Sequence, residues 1–115
     1  MSLKLKVIRI NLGDEESPEN YYLSFNMDSI NYYKETFSRD AIKDIMAMNT
    51  QDVDVEVLLR LFASMVKEQP YSEPLGVEFV AQYSPFGIIT EFAEDIVNCV
   101  VDSLPKGNGV APKKK

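Results

Sequence analysis

From Leu3 to Leu12, Leu3, Leu5 and Val7 alternate with Lys4 and Lys6, and Ile8 and Ile10 then shift the pattern by one position. A period of two marks a strand with one face buried. Gly13 to Asn20 is turn and charge throughout, and the aromatic run Tyr21-Tyr22-Leu23-Ser24-Phe25 follows it. Two β-prone runs joined by a polar loop predict an antiparallel hairpin with a longer loop than the tight two-residue kind. Such a hairpin is marginal in water by itself, so it must pack on something.

Beyond it the spacing becomes helical. Asp28 and Ser29 are candidate N-caps for a helix bearing Ile30, Tyr33 and Phe37. Ser38 or Asp40 can cap a short second helix with Ala41, Ile42, Ile45 and Met46, broken by Asn49-Thr50-Gln51. Val53, Val55 and Val57 alternate briefly as a strand would, but Leu58, Leu59, Phe62 and Val66 keep helical spacing. A helix over 52–68 is therefore expected, with acids at its start and Lys67 at its end, as the helix dipole favours. Pro74 can open a fourth helix carrying Leu75, Phe79 and Tyr83. Ser84-Pro85, a capping hydroxyl before a first-turn proline, opens a fifth over 85–104. Phe86, Ile89, Ala93, Ile96, Val97, Val100 and Leu104 make its main apolar stripe. Ile88, Phe92 and Cys99 form a second line along the same helix, so more than one side of it is apolar. The expected fold is α+β, mainly α: an N-terminal antiparallel β-hairpin packed on about five helices. Residues 1–105 are expected to form a single globular domain, and 106–115, by composition, a flexible Gly/Pro/Lys tail.

Composition narrows the chemistry. The 115 residues contain no histidine, which removes the commonest neutral-pH acid–base group and the commonest metal ligand. One cysteine, Cys99, allows neither an internal disulfide nor a Cys/His zinc cluster, and fits a reducing, cytoplasmic setting. No stretch approaches the length of a membrane span, and the N-terminal alternation is unlike a signal peptide. All eighteen acids and eight of the twelve bases precede residue 105, a net −10 there against +4 beyond. An acidic body argues against nucleic acid or an anionic membrane as the main partner.

The remaining candidates yield to simpler readings. Asp52, Asp54 and Glu56 stand two apart and share no helix face, so they read as a charged helix start. Glu91, Glu94 and Asp95 do share a face but lack a calcium loop, and they read as a solvated surface. No phosphate-binding or dinucleotide fingerprint occurs. Asp28-Ser29-Ile30 and Asp102-Ser103-Leu104 resemble the phosphopantetheine site of acyl carrier proteins, but the first follows a strand and the second ends a helix. Capping and helix ending explain them better. Cys99, set among Ile96, Val97, Val100 and Val101, reads as a small buried hydrophobe rather than a nucleophile. Tyr21, Tyr22, Tyr32 and Tyr33 crowd the join of hairpin and first helix, where a core contact is preferred over base stacking. The expectation is thus a non-enzymatic protein with no cofactor and no bound metal. Its partner-binding surface is expected at Met46 and Met48, since methionine adapts to varied apolar partners, and at Ile88 and Phe92 of the second apolar line.

The layout as a whole resembles a known family. The residues that carry the resemblance are the basic–apolar opening, the segment from Tyr22 to Tyr33, the helix Val55-Glu56-Val57-Leu58-Leu59-Arg60-Leu61-Phe62-Ala63, and the ending Asp102-Ser103-Leu104-Pro105-Lys106 with its Gly/Pro/Lys tail. Together they are similar to the small tail assembly chaperones of long-tailed phages and prophages of Gram-positive bacteria. That resemblance implies a helper made in the host cytoplasm and absent from the mature virion. Its partners would be the tape measure protein and tail tube subunits, and self-association would be common. It also implies a longer form made by ribosomal frameshifting, with which the Lys113-Lys114-Lys115 ending is compatible. The competing expectation is a bacterial adaptor or regulatory subunit with no phage role.

Overall fold

The computed structural model describes residues 4–48 and 54–103. The tail at 106–115, Leu104, the break at 49–51 and Asp52 lie outside the described residues. Within them the protein is α+β and mainly helical. The order is β1 (Val7–Asn11), β2 (Asn20–Ser24), α1 (Met27–Phe37), α2 (Ala41–Ala47), α3 (Val55–Met65), β3 (Val66–Lys67), α4 (Gly76–Val80) and α5 (Pro85–Ser103).

The hairpin forms as its alternation dictates. β1 and β2 pair antiparallel, with Ile8 opposite Leu23 and Ile10 opposite Tyr21. Ile10 and Leu23 turn into the core, while Arg9 and Asn11 are exposed. The loop is closed by Asn11, whose Oδ1 accepts from the Gly13 and Glu19 amides at 2.9 Å each. Gly13 is needed there, because a Cβ would overlap the Ser17 carbonyl oxygen.

A third strand was not legible as one. Val66 and Lys67, expected as the last turn of a helix, instead pair antiparallel with Leu23 and Tyr22, giving the sheet order β1-β2-β3. The helix stops at Met65, and the Val66 carbonyl accepts from the Leu75 amide at 2.9 Å. Its start also moves inward: the Asp54 carboxylate accepts from the Glu56 and Val57 amides and caps the helix at Val55.

α3 is the central element. Val57, Leu58 and every residue from Leu61 to Met65 are buried, against α1, α4 and α5. Each fully buried Leu or Phe side chain there contributes roughly 1.5–3 kcal/mol. α5, the longest helix, lies across β1, β2 and α3 but buries only Ile88, Ile96, Cys99 and Val100 fully. Its buried face therefore joins Ile88 and Cys99 of the second line to Ile96 and Val100 of the main stripe, while Phe86, assigned to the main stripe, is 77% exposed. At its start the expected device is present: the Ser84 hydroxyl accepts from the Gly87 amide at 3.2 Å.

Two caps differ from expectation. Asn26, not Asp28 or Ser29, caps α1: its Oδ1 accepts from the Ser29 amide, and the Ser29 hydroxyl accepts from the Asn26 amide, a capping box. Of Ser38 and Asp40, the latter caps α2. Pro74 stands outside α4, bridged to Lys67.

Candidate functional site

Three polar clusters could carry chemistry, and each is consumed by the fold. At the first, the Asp44 carboxylate accepts from Arg39 Nε at 2.7 Å and Arg39 Nη2 at 2.8 Å, and from the buried Tyr33 hydroxyl at 2.6 Å. Arg60 Nε donates to the same hydroxyl at 3.2 Å. The Arg39 fork, with help from Tyr33, holds the Asp44 carboxyl down at about 2, against its desolvation. Burial and the Asp44 bond push the Tyr33 phenol up to about 12. A carboxylate so fully paired is a joint between α1 and α2, not a base.

The second is Lys67, which is 0% exposed. Its Nζ donates into a nest of Ser24 O (3.0 Å), Ser24 Oγ (2.8 Å), Asn26 Oδ1 (2.9 Å) and Ser29 Oγ (3.1 Å). Burial lowers the ammonium to about 8, partly opposed by the charge of Asp28. An amine with that value could act as a nucleophile, but this one has no exposure and more acceptors than protons. It ties the end of β2 and the start of α1 to β3. The same nest removes the carrier-protein reading, since Ser29 is buried and its hydroxyl donates to the Ser24 carbonyl at 3.0 Å.

Cys99 is the third. It is fully buried, its Sγ lies 3.4 Å from the Leu23 carbonyl oxygen, and burial pushes the thiol up to about 11. That is the inert hydrophobe the sequence implied.

What remains is surface, and among the described residues it includes a groove of about 500 Å3 between β1 and α5. Ile10 and Leu12 supply one side. On the other, Ser84, Gly87, Ile88, Glu91, Phe92 and Asp95 stand at i, i+3, i+4, i+7, i+8 and i+11, one helix face. Ile88 is 3% exposed and forms floor rather than rim, while half-buried Phe92 stacks on Phe62 at 5.9 Å. A second, more apolar groove of about 380 Å3 lies where α3, α4 and α5 meet, lined by Phe37, Leu59, Ala63, Val77, Val80 and Pro85.

Of the four partner-binding candidates, Ile88 and Phe92 thus come together in one groove. Met46 and Met48 do not join them. Met46 is 57% exposed on α2, and half-buried Met48 lines a separate, polar cavity with Arg39, Asp44 and Arg60. Sequence reasoning missed the β1 half of the groove, although the alternation of Ile8, Ile10 and Leu12 pointed to it. The tyrosines divide similarly: Tyr33 is core, Tyr21 packs edge-on against Phe79 at 4.9 Å, and the Tyr32 hydroxyl accepts from the Val77 amide at 2.9 Å.

Among the described residues, no helix is long and apolar enough to cross a membrane, and no three or more His, Cys, Asp or Glu side chains gather as metal ligands would. No family model matches the chain, and comparisons with curated proteins and with solved structures return no match.

Proposed function

We propose that this protein is a non-catalytic binder of other polypeptides, and specifically a tail assembly chaperone of a long-tailed phage or prophage. It would act in the host cytoplasm, hold apolar stretches of the tape measure protein and recruit tube subunits. The observation that carries the binding role is the β1–α5 groove, an open concavity with an apolar floor beside a sheet edge. The spent state of Asp44, Lys67 and Cys99 supports a role without chemistry. The phage assignment rests on the resemblance of the 22–33 segment, the 55–63 helix and the chain's ending to that family.

Co-expression with a tape measure protein tests it. The expected result is co-purification of the two and a larger soluble fraction of the tape measure protein. An unchanged soluble fraction with no co-purification would sink the chaperone reading.

A further inference from the structure

β1 is an edge strand: β2 pairs with one side, and among the described residues no strand pairs with the other. The Leu12 amide donates to the Glu19 carbonyl at 2.8 Å, so Leu12 turns its backbone toward β2. Antiparallel alternation then turns Ile8 and Ile10 the same way and leaves the N–H and C=O of Val7, Arg9 and Asn11 facing outward. Folds usually blunt such an edge with proline, a bulge, inward charge or a covering helix. β1 holds no proline and pairs without a bulge, and α5 stands beside the edge across a groove of about 500 Å3 instead of closing over it. An edge strand flanked by a helix, with a groove between, is the geometry that accepts an extended peptide as one more strand.

Charge selects the occupant. Glu91 and Asp95 stand one turn apart on the groove face of α5, and the exposed Asp14, Glu15 and Glu16 follow Gly13 at the end of β1. Among the described residues, Arg9 is the one base lining the groove. A second copy's β1 added antiparallel about Arg9 would set Arg9 directly opposite Arg9, a like-charge pairing that disfavours this edge-to-edge dimer. We propose that the β1–α5 groove binds an extended client segment by strand addition, seating an apolar side chain over Ile10, Ile88 and Phe92. Two positions further along, a lysine or arginine meets Glu91 and Asp95. This deepens the client-binding reading and rests on it for the partner being a polypeptide.

Gly87 offers a way to close the site. It is exposed on the groove face, and a Cβ there would meet only the Ser84 side chain, at 3.5 Å. Gly87→Trp therefore fills the groove without entering the core. The probe is a blocked peptide of about ten residues, enough to span β1, alternating valine and threonine with one central valine replaced by lysine. Titrated into the full chain, it should shift the amide resonances of Val7, Arg9, Asn11 and the groove face of α5, and slow exchange of those three strand amides. Replacing the probe's lysine by norleucine should weaken binding about fivefold, the scale of a part-exposed ion pair. N-methylation of its edge-facing nitrogens should abolish binding, as should Gly87→Trp, with the melting temperature of the variant unchanged or raised. Equal affinity of the N-methylated probe overturns the proposal. So does a response confined to the α3–α4–α5 groove, or protection of the β1 amides by dimer formation without probe. If Gly87→Trp loses the probe yet still keeps a tape measure protein soluble, this inference fails and the chaperone reading stands. If wild type binds the probe but never that client, the chaperone reading is what fails.

Discussion

Replacing Asp44 with asparagine separates charge from packing at the joint of α1 and α2. The side chain is buried, it accepts both prongs of the Arg39 fork and the Tyr33 hydroxyl, and Asp44→Asn keeps its shape while removing its charge. In the folded protein the carboxyl sits at about 2 against 3.8 ordinarily. At about 1.4 kcal/mol per pH unit, that difference corresponds to roughly 2.4 kcal/mol. Arg39 is half exposed, so solvent screens one side of the pair and about 2 kcal/mol is the better figure. The sign follows from proton counting. A depressed folded value means the unfolded chain binds more protons between about pH 4 and 2, so the stabilisation is full above that window and is lost as pH falls through it. Urea unfolding of wild type and Asp44→Asn at a series of pH values should give a variant about 2 kcal/mol less stable near neutrality. The gap should close as wild type is titrated toward about pH 2. A gap under about 0.5 kcal/mol near neutrality would refute the assigned strength of the pair. A gap that persists unchanged in acid would place the loss in geometry rather than charge.

Lys67 gives a slope of the same sign in an alkaline window: its folded value of about 8 lies below 10.5, so stability should rise with pH above about 8, by up to ~1.4 kcal/mol per pH unit. Ionisation of Cys99, held up at about 11 against 9.0, opposes the rise above about pH 9, so the clean window is narrow and Lys67→Met should flatten it in urea titrations. Gly76 has φ +86°, and a Cβ there would lie 2.5 Å from the Tyr32 hydroxyl oxygen, so Gly76→Ala should cost about 1–3 kcal/mol by thermal or chemical unfolding. Cys99 should resist a disulfide-exchange reagent at about pH 8 in the native protein and react at once in denaturant. Fast native reaction would contradict its burial.

The hairpin and the helices were legible because their signals are local. Alternation at 8–12 marks Ile8, Ile10 and Leu12 as the residues that face inward, and Ser84-Pro85 marks a helix start whatever surrounds it. The third strand had no such signal. Leu58 to Val66 keeps helical spacing, and what ends the helix at Met65 is pairing with Leu23, over forty residues away. Three capping residues fall within four positions at Asn26, Asp28 and Ser29, and propensity ranks them almost equally. Asn26 occupies the cap and turns Oδ1 both to the Ser29 amide and to Lys67 Nζ, so that choice is tied to a strand the sequence hid.

The candidate site was half legible for the same reason. The line of Ile88 and Phe92 could be counted along one helix, but a surface for a partner exists only where something stands opposite it. Nothing in the count says that β1 stands there, that its outer edge goes unpaired, or that Glu91 and Asp95 belong to the same face as the two hydrophobes. Met46 and Met48 illustrate the converse. Their adaptable chemistry suggested a shared surface with Ile88 and Phe92, yet α2 holds them elsewhere, with Met48 beside the Asp44 joint. Residue type therefore proposes what a surface could hold, and tertiary placement decides which residues form one. In this protein the placement favours an extended chain over a helix as the guest of the β1–α5 groove. A helix satisfies its own backbone and would leave the outward amides of Val7, Arg9 and Asn11 to water, whereas a strand would pair them.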